Sequence, residues 1–316
     1  MPLQISELNM TNKLLHMKYT LSLLICMTLM TAKAQNYIDL GNISYANTPS
    51  NEFENSSESS RVEEWDIKFN LPVVIDEKNV FIAGINVNRV QVKLDADIPG
   101  NKNLNSIGLL LGLNHTYSEK WSATYLLLPK VSSDLNKLTG KDFQMGIVSL
   151  FNYKKRSNLN YKIGVYANTE RYGLSIFPLL GLYYQSPNKK FEANITLPYY
   201  VDANFQLFEK SYIGMNFDGL GSSYNMNKRL YIDKDTYAVK SSKELFAYLM
   251  FPIGSSLFIK PKLGYSVFRT YKVFENSDKV DLSFASIYIG DNRTQLNTNF
   301  KDGAIFKIEM VYRVNF

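Results

Sequence analysis

The sequence predicts an all-β fold, a closed antiparallel β-barrel that crosses a membrane through its strands. The first of three supporting observations is at the C-terminus. From residue 306 to residue 316 every second residue is apolar or aromatic, and the residues between them are polar except Val311. A soluble sheet can alternate in this way, but a strand with lipid on one face and water on the other must do so. The final strand is therefore predicted to span a bilayer and to carry a barrel-assembly signal in Tyr312, Val314 and Phe316.

The second observation is a rhythm of short turns and long polar segments. Short turn signals lie at residues 76–79, 118–120, 155–158, 186–189, 209–211 and 254–256. Longer polar stretches lie between them, at residues 48–61, 95–105, 132–141, 219–242 and 275–302. Outer-membrane barrels have this asymmetry, with short periplasmic turns and longer outer loops. The rhythm predicts 14 strands in meander order, with both chain ends in the periplasm.

Two irregular strands leave 12 strands as an alternative. Residues 202–207 are short for a crossing strand, and Pro178 interrupts an otherwise regular run although proline cannot donate to a β-ladder. The alternative fold is a secreted β-sandwich, which would be soluble without detergent.

The third observation is composition. Aromatic residues make up 14% of the chain, with 22 Tyr and 19 Phe, while the mean hydropathy is only −0.19. Alternating strands with aromatic girdles at both membrane interfaces have this character. The net charge of +6 is not clustered on one face, so the sequence does not predict nucleic-acid binding.

The N-terminus is predicted to be an export signal. Lys18 precedes the mainly apolar residues 21–30, and the small residues of Ala32-Lys33-Ala34 precede Gln35. Residues 1–34 are therefore interpreted as a leader and signal peptide with its true start at Met17, and residues 35–316 as one barrel domain. A genuine longer leader is the alternative. The single cysteine lies inside the signal, so the mature chain has no disulfide or thiol chemistry.

Three stretches carry a family resemblance. They are Leu197-Pro198 leading to Phe205, residues 219–224 (Gly-Leu-Gly-Ser-Ser-Tyr), and residues 287–293 (Ile-Tyr-Ile-Gly-Asp-Asn-Arg). In these the sequence resembles an uncharacterised outer-membrane β-barrel family of the Bacteroidota, a domain of unknown function. The resemblance implies a fold and an outer-membrane location over nearly all of the mature chain, and it implies no catalytic residues and no cofactor.

Enzymatic chemistry is not predicted. His115 is the one histidine after the signal, and its parity matches that of outward-facing Leu113, so we expect it in the interfacial belt rather than beside a nucleophile. Acidic residues in two outer segments, Asp233, Asp235 and Asp291, are interpreted as solvated loop charge, because their spacing lacks the glycine and terminal glutamate of a calcium loop. No catalytic, cofactor or metal site is predicted.

Charges with inward parity are the better candidates for function. They form one set on predicted strands 2, 13 and 14: Glu64, Asp66, Lys68, Lys260, Lys262, Lys307, Glu309 and Arg313. Glu64 and Asp66 are expected near Lys307 and Arg313 across the barrel seam. The set is either a structural network in the lumen or a selectivity zone for a solute.

The predicted function is passive. We expect a non-enzymatic outer-membrane barrel of unknown specific role, with a porin-like channel for small solutes as the leading interpretation. A lipid-modifying barrel enzyme and a structural or partner-binding barrel with a filled lumen are the alternatives. The expected partners are outer-membrane lipid and lipopolysaccharide, together with the barrel-assembly machinery, which would engage the C-terminal strand.

Overall fold

A computed structural model describes residues 37–219, 221–231 and 234–315. The predicted signal peptide, Asp233 and Phe316 lie outside these residues. The strands, in chain order, are β1 (Tyr37–Asn47), β2 (Asn51–Glu52), β3 (Ser59–Ser60), β4 (Glu63–Val74), β5 (Asn79–Val92), β6 (Lys102–Thr116), β7 (Trp121–Ser133), β8 (Phe143–Arg156), β9 (Leu159–Glu170), β10 (Gly173–Gln185), β11 (Phe191–Leu197), β12 (Tyr200–Phe208), β13 (Ser211–Asp218), β14 (Gly221–Tyr231), β15 (Lys234–Pro252), β16 (Leu257–Glu275), β17 (Leu282–Phe284), β18 (Ile287–Ile289) and β19 (Gly303–Asn315). One 3₁₀ turn, Gly140–Asp142, precedes β8.

Fourteen of these strands close into an antiparallel barrel. The wall consists of β1, β4 to β13, β15, β16 and β19, and each strand pairs with the next wall strand along the chain. The ring closes where β1 pairs with β19, from Tyr37 opposite Asn315 to Asn47 opposite Phe306. The prediction of a closed 14-stranded meander is confirmed, and the 12-stranded and sandwich alternatives are wrong.

The outer face of the wall carries the apolar half of each alternating strand. In β4, Trp65, Ile67, Phe69 and Leu71 are between 41% and 50% exposed, and the residues between them face the lumen. The same pattern recurs around the ring, and aromatic pairs such as Trp121 with Tyr153 lie beside the short turns. A band of exposed apolar side chains flanked by aromatics is the lipid-contacting surface of a transmembrane barrel.

The wall is low on one side. β11, β12 and β13 have only 7, 9 and 8 residues, whereas β15 and β16 have 19 each. Beyond the low section, the short hairpin of β17 and β18 stands beside β10, with Ser283 parallel to Ser175. This explains Pro178, because the edge of β10 pairs with β17 as far as Ile176 and with β11 only from Leu180. The proline therefore occupies a break in the ladder on that edge.

The segment 219–242 corrects one expectation. The sequence predicts a polar outer loop there, but the segment contains β14 and the first half of β15. β14 crosses the end of the lumen opposite the short turns, and we call this the outer end and the other the periplasmic end. β14 pairs with β15 on one side, and its Asn225 forms a parallel bridge to Ser133 of β7 in the opposite wall. The sequence misled because Ser223 and Asn225 find polar partners inside the barrel, and polarity alone does not distinguish those partners from water.

A compact apolar cluster closes the outer end around this strand. Its members come from β14, from the outer ends of β5, β6, β15 and β16, and from the adjoining loops. The largest are the aromatic residues Phe53, Tyr224, Tyr271 and Phe300. Among the described residues, no helix has the length and apolar character needed to cross a membrane.

Candidate functional site: the barrel lumen

One side of the lumen is filled by a buried ion-pair cluster. Lys260 of β16 lies 3.1 Å from Asp202 of β12, and Lys262 lies 2.7 Å from Glu309 of β19. Tyr248 donates a hydrogen bond of 2.7 Å to Asp202, and its ring lies 3.6 Å beneath the Lys260 ammonium. All five residues are buried, between 4% and 9% exposed. Their charges compensate each other, as burial of charge requires.

The seam contacts differ in part from the expectation. Arg313 does not meet Glu64 or Asp66. It lies at the periplasmic end, where its guanidinium donates to both Asp39 oxygens at 2.6 and 2.9 Å and stacks 3.5 Å from the Tyr37 ring centroid. The reason is the register of the strands. Lys307 and Glu64 are both opposite Ala46, on the two sides of β1. Arg313 is six residues farther along β19, where it is opposite Asp39.

The remaining predicted charges lie nearer the outer end. Glu64 accepts hydrogen bonds of 2.5 and 2.7 Å from Lys240 of β15, a partner that sequence reasoning missed because it assigned residue 240 to a loop. Lys68 lies 3.2 Å from Asp66 on its own strand. Lys307 lies 3.6 Å from Glu309, so it extends the buried ion-pair cluster toward the seam.

The other side of the lumen is open. It holds an outer cavity of about 520 Å³, lined by β4 to β11, by the start of β14 and by Lys240 of β15. A periplasmic cavity of about 510 Å³ lies beside the short turns and is lined mainly by polar side chains such as Asn114, Asn152 and Lys162. Leu150 lines both, so the two cavities adjoin at this level of β8.

Leucines form an apolar layer inside the lumen next to this junction. Leu110 of β6, Leu128 of β7 and Leu150 of β8 all line the outer cavity, and we call these three residues the lumen leucine layer. They occupy inward positions, where a water-filled channel normally carries polar residues. Leu110 and Leu128 stand out in the sequence because they break the apolar-polar alternation of their strands.

β14 is fixed above the outer cavity by polar contacts to the far wall. Glu170 at the end of β9 accepts the Ser223 N–H at 2.8 Å and also a hydrogen bond from the Ser223 hydroxyl. Ser132 and Gln144 donate to the Ser223 carbonyl at 2.7 and 3.0 Å. Lys130 lies 3.0 Å from Glu170 and completes this group. The contacts hold the strand across the lumen.

The predicted non-catalytic residues lie outside the lumen. His115 is on the outer face near the periplasmic turns, 2.7 Å from the Asn79 side-chain amide oxygen, with Tyr117 edge-on at 4.6 Å.

In the outer segment after β18, Arg293 donates two hydrogen bonds of 2.8 Å to Asp291, which lower the pKa of that carboxyl. Within the described ranges, no group of three or more histidines, cysteines and carboxylates is placed to hold a metal.

Comparison with models of protein families gives one match over most of the chain. The model of a family described as a domain of unknown function (DUF6268) matches residues 30–309. The chain belongs to this family. The match includes all three stretches on which the sequence resemblance rests, and the DUF6268 description assigns no activity. A search of curated proteins finds no significant match.

Solved structures with similar architecture are outer-membrane barrels. The COG4313 outer membrane channel from Pseudomonas putida F1 has 7% identity and a TM-score of 0.47, with 87% of this chain and 94% of that chain covered. A Pseudomonas aeruginosa FadL homologue has 10% identity and a TM-score of 0.46, with coverages of 88% and 90%. The P. putida toluene transporter TodX has 8% identity and a TM-score of 0.36, with coverages of 88% and 91%. For this DUF6268 member, identities this low assign no solute.

Proposed function

We propose that the protein is a non-catalytic, porin-like barrel of the outer membrane that passes small solutes along one side of its lumen. The observation that carries this proposal is the pair of adjoining cavities, about 520 and 510 Å³, stacked between β14 and the periplasmic turns. A solute that entered beside β14 would meet the lumen leucine layer and then the polar periplasmic cavity. The narrow route favours selective passage over general diffusion.

The buried ion-pair cluster has a structural role in this proposal. Lys260 and Lys262 have carboxylate partners at 3.1 and 2.7 Å and little exposed surface, so they are poorly placed to attract a passing ion. Buried pairs of this kind fix the geometry of neighbouring strands, and removal of one partner destabilises the fold. The alternative role, a selectivity zone, requires charges that face an open path.

The test is solute flux through the refolded chain, residues 35–316, in liposomes and planar bilayers. We expect flux of small uncharged solutes into liposomes and only rare, small conductance steps. Neutralising Lys260 and Lys262 together should lower thermal stability and leave ion selectivity unchanged. A folded, heat-modifiable barrel that passes neither ions nor small uncharged solutes, polar or apolar, would contradict the proposal.

A second candidate function is a partner-binding barrel with a closed lumen. The position of β14 across the outer end favours it, because that strand and the apolar cluster around it obstruct the mouth. This candidate predicts no flux in any variant. A lipid-modifying activity has no comparable support, since the His115 imidazole contacts the Asn79 side-chain amide and the Tyr117 ring, which do not form a nucleophile and base pair with it.

The location and targeting form part of the same proposal. The lipid-contacting band fits an outer membrane, with cleavage after Ala34 and assembly through the C-terminal strand. N-terminal sequencing of the protein purified from membranes would test the cleavage site, and a mature chain that begins elsewhere would contradict it.

A further inference from the structure

We propose that the outer cavity binds a small, uncharged and mainly apolar molecule, such as a one- or two-ring aromatic compound carrying a single polar group. The inference rests on the proposed function and names the class of solute. It follows from three properties of the cavity: its apolar floor, its internally compensated charges and its size.

The apolar floor is the first property. The lumen leucine layer is joined by Val148 and by Leu179, which is only 4% exposed. A hydrated ion or sugar that passed this layer would lose water contacts without gaining hydrogen bonds, which is costly. An apolar molecule gains free energy there because its own surface leaves water. The floor therefore discriminates in favour of apolar solutes.

The charges above the floor are the second property. Five charged side chains line the cavity, and each has a partner of opposite sign: Glu64 with Lys240, Asp66 with Lys68, and Lys130 with Glu170. An anionic or cationic ligand would have to displace one of these partners. The charges therefore favour a ligand without net charge.

Aromatic rings and uncharged polar atoms on the side of the cavity nearest the short strands β11 to β13 also favour such a ligand. Tyr166 and Tyr199 line the cavity with their rings 5.2 Å apart and edge-on, and Phe177 lies against both at 6.1 and 5.3 Å. Rings in this arrangement offer edges and faces to a further aromatic ring. Among the described residues, the Tyr199 hydroxyl and the Asn168 amide oxygen are buried and have no hydrogen-bond partner. A polar group on the ligand would satisfy one of them.

The size is the third property. A volume of about 520 Å³ lies within the range of small-molecule sites, roughly 300–1,000 Å³. It accommodates a two-ring compound with room for exchange, whereas a lipid or an oligosaccharide would not fit beneath β14. The site is therefore one for a small solute and not for a membrane lipid.

The test uses equilibrium dialysis of the refolded chain, residues 35–316, in detergent, with naphthol as the uncharged probe and naphthalenesulfonate as its anionic counterpart. Probe retention is read from probe fluorescence. The decisive variant is Leu128→Asn, and the matched control is Thr124→Asn, because both residues face the lumen from β7 but Thr124 lines the periplasmic cavity. Detergent uptake of the probes is common to all samples.

We expect naphthol retention by the wild type and by Thr124→Asn, and a loss of about tenfold or more in affinity for Leu128→Asn, because the amide would leave a polar group unsatisfied against the probe. Naphthalenesulfonate should be retained by none of them. If Leu128→Asn fails to give a heat-modifiable barrel, Leu110→Asn, which places an amide in the same leucine layer, should show the same loss. Equal naphthol retention by a folded leucine-layer variant, or preferred retention of the anion, would overturn the inference.

Failure of this inference and failure of the proposed function are distinguishable. Sugar flux into liposomes without naphthol retention would overturn the ligand class and leave the channel standing. Naphthol retention without flux of sugar, ions or naphthol would support the site and contradict the channel.

Discussion

The contact between Glu170 and Ser223 should control access to the lumen from outside. The Glu170 carboxylate accepts two hydrogen bonds from Ser223 of β14 and lies 3.0 Å from the Lys130 ammonium, and its side chain is only 3% exposed. Glu170→Gln removes the negative charge while it preserves size. Both Ser223 bonds go to one carboxylate oxygen, so the amide oxygen can still accept them, but as a neutral acceptor. Lys130 lies 3.0 Å from the other oxygen and loses its ionic partner.

The magnitude follows from these contacts. A hydrogen bond to a charged group contributes about 1.5–3 kcal/mol and a neutral one about 0.5–1.5 kcal/mol, so neutralising the acceptor weakens each Ser223 bond by about 1 kcal/mol. The ion pair between Lys130 of β7 and Glu170 of β9 joins two wall strands and does not depend on the position of β14, so its loss does not enter this difference. A loss of about 2 kcal/mol over the two Ser223 bonds shifts the equilibrium toward displaced β14 by about thirtyfold.

The assay is the open fraction of single barrels in planar bilayers. Glu170→Gln should open about thirty times more often than the wild type. Glu119→Gln is the matched control, because it removes the same charge from the periplasmic cavity, far from β14. A wild-type open fraction in Glu170→Gln, together with a lowered melting temperature, would refute the reasoning, because the carboxylate would then merely stabilise the wall.

Three further predictions concern stability, pH and catalysis. Lys262→Met should lower barrel stability by about 3 kcal/mol, measured by heat modifiability in urea, because buried Glu309 loses its 2.7 Å partner; unchanged stability would contradict a structural role for the cluster. Burial, with the charges of Arg171 and Lys141, lowers the pKa of Lys279 in the outer segment 276–281 to about 8. Since the folded state disfavours the protonated form of Lys279, protection of that segment from proteolysis should rise from pH 8 to pH 10. In Lys279→Met the protection should be independent of pH. A fall in protection with rising pH would contradict the direction of this pKa shift. His115→Ala should leave any measured hydrolase activity intact, and loss of such an activity would contradict the non-catalytic assignment.

Much of the fold could be predicted from the sequence because a membrane enforces period-two alternation. The strand count, closure of the first strand on the last, and the outward orientation of His115 all follow from parity and turn spacing. The register of neighbouring strands, which decides which charges meet, was harder to predict. Arg313 was expected beside Glu64, but parity states only which face a residue occupies, whereas its height in the barrel depends on strand tilt and stagger.

The interior was the least predictable part. The polar sequence of residues 219–242 is typical of an outer loop, and no periodicity indicates that β14 lies within the lumen. Two partners of the predicted charges were not identified from the sequence. Lys240 lies in this polar segment, and Asp202 lies in a run that is short for a crossing strand. The leucines of the lumen were visible in the sequence as exceptions to alternation, and such exceptions are a signal for an apolar interior surface.

The pairing of β1 with β19 has a consequence for how the chain reaches its native state. These strands are about 270 residues apart in the chain, from Tyr37 opposite Asn315 onward, and their union is the contact that leaves the sheet without an edge. Until β19 arrives, both ends of the curved sheet expose unpaired backbone amides and carbonyls that can recruit any other strand. Loop-closure entropy makes this the slowest contact to form by chance. The unfolded polypeptide is therefore vulnerable to mispairing from the formation of its first strand until its last strand pairs, and a factor that shields the two open edges would be of most use during this interval.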